Sequence, residues 1–574
     1  MKLKPIYTET NDCKDCYKCI RECPTKAIKV SDDKASVLNE MCIYCGHCVA
    51  ICPTGAKKVR DGLSRVKLLL KGKKKVYVSL APSFTSEYGD NQKVLVDALY
   101  QLGFDGVSET AIGAQEVSNQ ISHYLKARQS GVYISSACPV VVELIRKYYP
   151  QHTMSITPYM SPMLTHARQL RRWYGNDIGV VFIGPCIGKK SETDDSADLV
   201  DVAITFKELN NWLESENISL EALNNQHKFT LKPYEAREGV IYPFDGGMID
   251  TIKQTGNSGD STFMSFTGQN MVRNVLDNLD EFGKESPLFL ELLACETGCL
   301  NGPGMSTQND IAIKHLKLNQ HYQQRLQSDS TDITKEDNLN IERDFFNIET
   351  VKPQDFSAED INKALLSIGK ANVSEELNCS GCGYDTCRDF AHALLSKHAE
   401  TGMCVSYMRM VAHHKATILL QKIPSGVVIV DDQSKVVEMN ASFARQLGND
   451  MEMCFEANPG MRGADLNKLG TFGKLFQTAL VTGKEYYELP IQENGKHLQL
   501  SIFNIQKHKL VTGIIQGTQQ PEFHKEIVEK RTREVIKKNM ETVQKIAFLL
   551  GENASFTDSL LNSILDAQKL EDAQ

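Results

Sequence analysis

The chain has 574 residues, with 64 basic and 72 acidic side chains, a net charge of −8 and 41% hydrophobic residues. That length is a prior for about four domains with ample apolar core, and the acidic balance argues against nucleic acid or an anionic membrane as a partner. No apolar run approaches the roughly 18 residues that a spanning helix needs. The opening residues, MKLKPIYTETNDC, lack the apolar stretch of an export signal, so the expected compartment is the cytoplasm. Seventeen cysteines in such a setting argue for metals rather than disulfides.

In chain order, the first signal is C-KD-C-YK-C-IRE-C-P, from Cys13 through Cys16 and Cys19 to Cys23. It recurs as C-IY-C-GH-C-VAI-C-P, through Cys42, Cys45, Cys48 and Cys52. Tight spacing lets each loop wrap a cube, and proline carries the chain away. The doubled run resembles the two-cluster bacterial ferredoxins, with a zinc module as the weaker alternative. By that resemblance the fourth cysteine of each run crosses over. One 4Fe–4S cluster would take Cys13, Cys16, Cys19 and Cys52, and the other Cys42, Cys45, Cys48 and Cys23. Residues 1–58 are therefore expected to form an α+β ferredoxin-like domain that conducts electrons. The basic stretch 57–75, with KLLLKGKKK, is expected to be a solvated linker, or to help dock an acidic ferredoxin.

From residue 75 the pattern changes to short buried runs, VYVSLAP, GVYISSACP, GVVFIGPC and LFLELLAC, alternating with helix-like segments such as NQKVLVDALYQLG and MSPMLTHARQLRRWYG. Continuous apolar runs bounded by Gly and Pro suit parallel strands covered on both faces. Three of these runs end in cysteines: Cys138, Cys186, and the pair Cys295 and Cys299 in LACETGCLNGPG. Loops at the carboxyl ends of parallel strands are where an open α/β sheet places its site, and four thiolates from three such loops suit an iron–sulfur cluster. A plain α/β core with buried cysteines is the alternative.

These loops, in this order, resemble the three signature loops of the FeFe hydrogenases. The resemblance implies an α/β domain over 75–365 whose H-cluster takes up or makes dihydrogen. That cofactor is a 4Fe–4S cube held by Cys138, Cys186, Cys295 and Cys299 and bridged through Cys299 to a two-iron azadithiolate unit with carbonyl and cyanide ligands. It also implies that Lys189 donates to a cyanide, with Lys190 left as the solvent-facing lysine. Ala81, Pro82 and Ser83 would approach the two-iron unit, Pro185 would flank Cys186, and Phe244, within Pro243-Phe244-Asp245-Gly246-Gly247-Met248, would line the cluster. Several positions depart from the family pattern. Ala137 stands where catalytic members carry a proton-relaying cysteine, and Ile121 and Tyr124 fall near the places of the relay glutamates. Gly184 and Leu293 replace methionines, and Met163 replaces a glutamine. The cradle is kept while the proton path and the surroundings are altered, changes of a kind worth about 10–100-fold in metal sites.

The polar stretch HYQQRLQSDSTDITKEDNLN reads as a surface excursion. Next, over 366–408, Cys379, Cys382, Cys387 and Cys404 are similar to a small iron–sulfur module, with zinc as the alternative. Residues 416–519 run strand, hairpin, Asn-led helix and then alternating strands, and resemble a PAS domain, with Asn440 and Phe443 in its usual motif. Cys454 is expected to be a packed or partly exposed free thiol. Over 520–574, Ile536, Met540, Val543, Ala547 and Leu550 form a 3–4 stripe, read as a coiled-coil or output helix supporting a homodimer. The whole is expected to be a multidomain α/β protein of the sensory, PAS-containing type of FeFe hydrogenase, with slow turnover. Its implied partners are dihydrogen and protons, maturation proteins, and a separate serine/threonine phosphatase or kinase. A catalytic ferredoxin-dependent hydrogenase and a non-enzymatic iron–sulfur redox or assembly protein are the rival readings.

Overall fold

The computed structural model describes residues 4–517, apart from 73, 224–229, 256–258, 284, 307–309, 328–338, 347–349 and 353, and beyond 517 only Arg533, Ile536 and Lys537. The 3–4 stripe of the tail therefore lies outside the described residues, except for Ile536. Two compact units divide the chain, Met1–Glu400 and Thr401–Gln574.

The first unit opens with a ferredoxin-like module. Strand β1 (Ile6–Thr8) pairs antiparallel with β4 (Lys57–Val59), and β2 (Ile28–Ser31) pairs with β3 (Lys34–Val37). The basic stretch after residue 57 is not a solvated linker. Lys57 is only 3% exposed and donates to Thr8 Oγ1 at 2.6 Å and Ala35 O at 2.9 Å. Arg60 grips Asp194 with both terminal nitrogens, and the helix Leu63–Lys71 buries Val66 in the main core. The charges stay at the rim while the apolar positions dock, as amphipathic side chains allow.

The central fold has two parallel sheets. β5 (Val76–Leu80), β6 (Gly106–Glu109), β8 (Gly179–Gly184) and β9 (Val202–Thr205) lie in the order β6-β5-β8-β9. β7 (Gly131–Ile134), β10 (Thr262–Thr267) and β11 (Pro287–Leu293) lie in the order β10-β11-β7. All pairings within both sheets are parallel. Every residue of β5, β6, β8, β9 and β11 is buried, as expected of strands covered on both faces. The direction of winding reverses between β5 and β8, and the carboxyl ends at such a reversal are where an open α/β sheet places its site. The expected helices form over Gln92–Gln101 and Pro162–Tyr174. The stretch expected to be a surface excursion instead begins inside the helix Ile311–Gln327, which buries His321 and Arg325. Arg325 lies 3.3 Å from the fully buried Glu109, and that ion pair fastens the helix inward.

In the second unit, the helix Val405–Lys422 precedes a five-stranded antiparallel sheet. Its strands are β12 (Gly426–Asp431), β13 (Val436–Met439), β14 (Tyr486–Glu493), β15 (Lys496–Gln506) and β16 (Leu510–Gly517), in the order β13-β12-β16-β15-β14. The order of strand, hairpin, Asn-led helix and further strands is the one expected for residues 416–519. Leu500 and Ile502 alternate into a core centred on Phe443, Phe472 and Phe476. Asn440 locks the start of the helix Ala441–Leu447. Its Oδ1 accepts from the main-chain N–H of Val427 and Phe443, and its Nδ2 donates to Leu420 O and Ser425 O, all at 2.9 Å. Replacing the 2%-exposed Asn440 by Ala removes those four hydrogen bonds, and Phe443 N keeps only the main-chain oxygen of residue 440. The expected cost is about 2–4 kcal/mol, measurable as lost hydrogen-exchange protection across β12 and β16. Cys454 lies exposed on the helix Asn449–Ala457.

Candidate functional site

Three cysteine loops leave the carboxyl ends of β7, β8 and β11. Cys138 caps the helix Pro139–Tyr148, whose first residue is the proline that tolerates the unbonded N1 position. Cys186 stands between β8 and the helix Gly188–Asp195, and its sulfur accepts from the N–H groups of Gly188 and Lys189. After β11, Thr297 and Gly298 take positive φ, and Cys299 N donates to Pro243 O at 3.0 Å. A Cβ on Gly298 would lie 2.4 Å from that same oxygen, so only glycine allows this turn.

The folding brings the four thiols together. Cys295 is within electrostatic reach of Cys186, Cys299 and Cys138, and Cys299 is within reach of Cys138 and Cys186. Burial, reinforced by the neighbouring thiols, pushes Cys186 up to about 11 and raises Cys295 and Cys299 further. These three thiols would not ionise unaided, and a cationic iron–sulfur core would supply the compensation. Two enclosed hydroxyls beside the loops, Ser83 Oγ and Ser136 Oγ, have no partner among the described residues, which suits a site made to receive a polar group. Among the described residues no three ligand side chains converge on a single ion. Thiolates that grip separate corners of a cube need no common centre. The donor set fits the H-cluster expected from the sequence.

Lys189 is 8% exposed, and its Nζ donates to Glu192 Oε2 at 2.7 Å and Ala137 O at 3.3 Å. Burial works to raise the Glu192 carboxyl, but Lys189 and Arg343 outweigh it and hold it below the usual range. Glu192 therefore aims the ammonium into the site. Lys190 is not the solvent-facing lysine. It is 1% exposed, bonded to Glu208 Oε1 at 2.8 Å and Ala203 O at 3.0 Å. The turn of helix after Cys186 points both lysines into protein, toward different carboxylates.

The remaining expected positions surround these loops. Ala81, Pro82 and Ser83 are buried past the end of β5, Pro185 O accepts from Gly304 N at 2.7 Å, and Leu293 ends β11 at 5% exposure. Met163 is fully buried, with Thr193 Oγ1 near its sulfur, and Phe244 packs edge-on against His315. At Gly184 a Cβ would lie 2.6 Å from the Phe182 ring and 2.8 Å from the Ala81 methyl, so the space for a methionine is already filled. Ala137 presents a methyl group. Ile121 is fully buried in the apolar core, and Tyr124 sits among Tyr133, Tyr159 and Arg128. None of these three side chains carries a carboxylate or thiol to take a proton.

Sequence reading missed Glu291. It lies in the middle of β11, 1% exposed, and accepts from Met248 N at 3.3 Å and Ile249 N at 3.2 Å. Burial pushes its carboxyl up to about 8 against those two hydrogen bonds, helped by Asp245 and Asp250. It lies close enough to Cys299 to influence that thiol. Ser265 Oγ, 3.5 Å from the Glu291 main-chain oxygen, donates to the exposed Asp245. A titratable group thus lies within electrostatic reach of both Cys299 and the surface carboxylate of Asp245. The signal available in the sequence was a lone carboxylate inside the apolar run LFLELLAC.

The N-terminal cysteines fall into the two crossed groups. Cys19 lies with Cys16, Cys13 and Cys52, and Cys48 lies with Cys45, Cys42 and Cys23. The second group abuts the central site. Cys45 is near Cys295, and a Cβ on Gly46 would strike Ile187 and Pro303, which follow Cys186 and Cys299 in the chain. Of the third set, Cys379 is exposed, Cys382 half-buried and Cys387 buried at the start of the helix Cys387–Leu395, all in the first unit. Cys404, in the second unit, is buried and caps the helix Val405–Lys422.

Comparison with known proteins agrees with this division. Residues 74–303 match the family described as iron only hydrogenase large subunit, C-terminal domain. Residues 5–53 match a 4Fe-4S dicluster domain, and residues 375–406 an Fe-S cluster family. Iron hydrogenase 1 of Clostridium pasteurianum is 23% identical over 312 residues, which cover 45% of this chain and 54% of that protein. The chain thus spans about half the length of this curated relative. Among solved structures, an FeFe-hydrogenase from Chlamydomonas reinhardtii is similar at 19% identity over 47% of this chain and 89% of that one, with a TM-score of 0.37. The PAS domain of an HTR-like protein from Haloarcula marismortui is similar at 13% identity over 19% of this chain and 98% of that one, with a TM-score of 0.15.

Proposed function

Taking as premise that the central segment matches the iron-only hydrogenases, we propose that this chain is a hydrogen-sensing FeFe hydrogenase of low turnover, working in the cytoplasm. The observation that carries the reading is a complete cradle, four clustered cysteines with Lys189 held by Glu192, beside a methyl group at Ala137 where a relay thiol is expected. When bound, the H-cluster supplies reversible cleavage of dihydrogen to protons and electrons. Cys138, Cys186, Cys295 and Cys299 would hold it, and Lys189 would give its distal unit a charge-assisted donor. Apolar Leu293, Met163 and Ala81 exclude water from around it. Protons would leave through Glu291 toward Asp245, a poorer route than a thiol in direct contact, and electrons through the Cys23, Cys42, Cys45 and Cys48 group. The redox state then biases the PAS-like unit, and a separate serine/threonine phosphatase or kinase reads it. Maturation proteins would supply the two-iron unit.

The deciding experiment is an infrared spectrum of the matured chain under hydrogen and under inert gas, paired with turnover of Ala137→Cys. Carbonyl and cyanide bands that respond to hydrogen are expected in both proteins. Ala137→Cys should raise turnover per occupied site by about tenfold, short of the roughly 10²–10⁴-fold of a fully positioned acid–base group. Absence of the bands would favour a plain redox protein. A parent already as fast as a dedicated catalyst would favour a metabolic hydrogenase.

A further inference from the structure

The third cysteine loop is fastened to the ferredoxin-like module. His398 O accepts from Val30 N at 2.9 Å, and Glu400 Oε1 accepts from Asp32 N at 2.8 Å, so the β2–β3 hairpin is held by the segment that follows the loop. Within the loop, Gly383 has φ 95°, and a Cβ there would lie 2.8 Å from Ile20 Cγ2 and 3.2 Å from Arg21 N. Backbone therefore meets backbone next to the turn that carries Cys23. Tyr384, 6% exposed, lies within electrostatic reach of both Cys382 and Cys23, and its hydroxyl has no partner among the described residues. Cys23 groups with Cys42, Cys45 and Cys48, and Cys45 in turn adjoins Cys295. The same cysteine group thus borders the central site on one side and the third loop on the other.

We propose that this group is a junction. The third cluster, with Cys379, Cys382 and Cys387 among its ligands, is a side branch fed through the Cys23 turn and Tyr384 rather than directly from the central site. This rests on the hydrogenase reading above and deepens it: the branch draws off electrons for signalling. Each dihydrogen oxidised yields two electrons and two protons. The protons pass to solvent, and each reduced cluster takes up one electron.

The test uses the full, matured chain, with Mössbauer iron counts to show which clusters assemble. Under dithionite, the electron paramagnetic resonance signal of the third cluster should be dipolar-broadened by its neighbour. That broadening should be lost in Cys48→Ala, which removes the junction cluster. It should weaken in Gly383→Val, which pushes the two loops apart and keeps every cysteine in the chain. Under hydrogen, the third cluster should become reduced in the parent but not in Cys48→Ala, although dithionite still reduces it there. Hydrogen reduction that survives in Cys48→Ala, or a third-cluster signal without broadening in the parent, overturns the branch. A parent with no iron–sulfur signal at the third site also overturns it, while hydrogen-dependent infrared bands in that same sample would leave the hydrogenase reading standing.

Discussion

Cys299→Ala is expected to abolish hydrogen turnover altogether and to remove the carbonyl and cyanide infrared bands, while the visible absorption of the accessory clusters persists. The loop explains why no neighbour can substitute. Cys299 is fixed by its own N–H to Pro243 O at 3.0 Å, behind a glycine that admits no side chain. Cys295, Cys186 and Cys138 are its neighbours and would hold the other positions of the same cluster. Removing one thiolate of four leaves the rest enclosed beside a vacant corner, and the expected loss is complete rather than graded. The measurement is hydrogen evolution and infrared occupancy on the same reconstituted sample. Retained bands or parental turnover in the variant would sink the assignment of this loop.

Glu291→Gln is expected to lower turnover by about 10²-fold, the lower end of what a positioned acid–base group supplies. The two main-chain N–H groups bond to separate carboxylate oxygens, so the amide keeps one of these hydrogen bonds, and it cannot exchange a proton. Because burial holds the Glu291 carboxyl at about 8, the parent should show a turnover–pH inflection near that value, and the variant should lose it. Stability gives a second readout with a defined sign. A carboxyl whose folded value is raised binds a proton more readily in the native than in the unfolded state. Its contribution is complete below the ordinary carboxylate range and is lost as pH rises toward about 8. The parent should therefore lose a few kcal/mol across that window relative to Glu291→Gln, seen in denaturation midpoints at about pH 6 and about pH 9. Equal pH profiles for the two proteins would remove Glu291 from the proton path and leave it a structural group.

Most of the architecture was legible because it is written locally. Cysteine spacing named both ferredoxin loops, and apolar runs ending in cysteine named β7, β8 and β11, the last two because strands covered on both faces carry no polar alternation. The sequence did not show which runs share a sheet, because pairing partners are chosen by contacts far apart in the chain. Lys190 and Glu291 were misread or missed for one reason: a charged residue looks solvated until the opposing carboxylate or N–H groups are seen. Lys57 and Arg325 repeat that lesson, each looking like a surface charge and each serving to fasten a helix or strand inward. Ala137 could be read directly, because a missing thiol is visible in the chain itself.

The packing at Gly184 bears on how this protein could have arisen and how it could change. The Phe182 ring and the Ala81 methyl occupy the volume that a longer side chain at 184 would need. Restoring methionine there in a single step would overfill a tightly packed corner, which typically costs 1–3 kcal/mol, so a smaller residue at 182 must come first. The order of substitutions is therefore constrained. With the large aromatic at 182 in place, a methionine introduced at 184 alone meets that cost in full. Ala137→Cys, by contrast, meets no such obstacle from the contacts described above. The two departures from the catalytic pattern are thus unequal in evolutionary terms, one open to a single change and the other ratcheted in place by its neighbour.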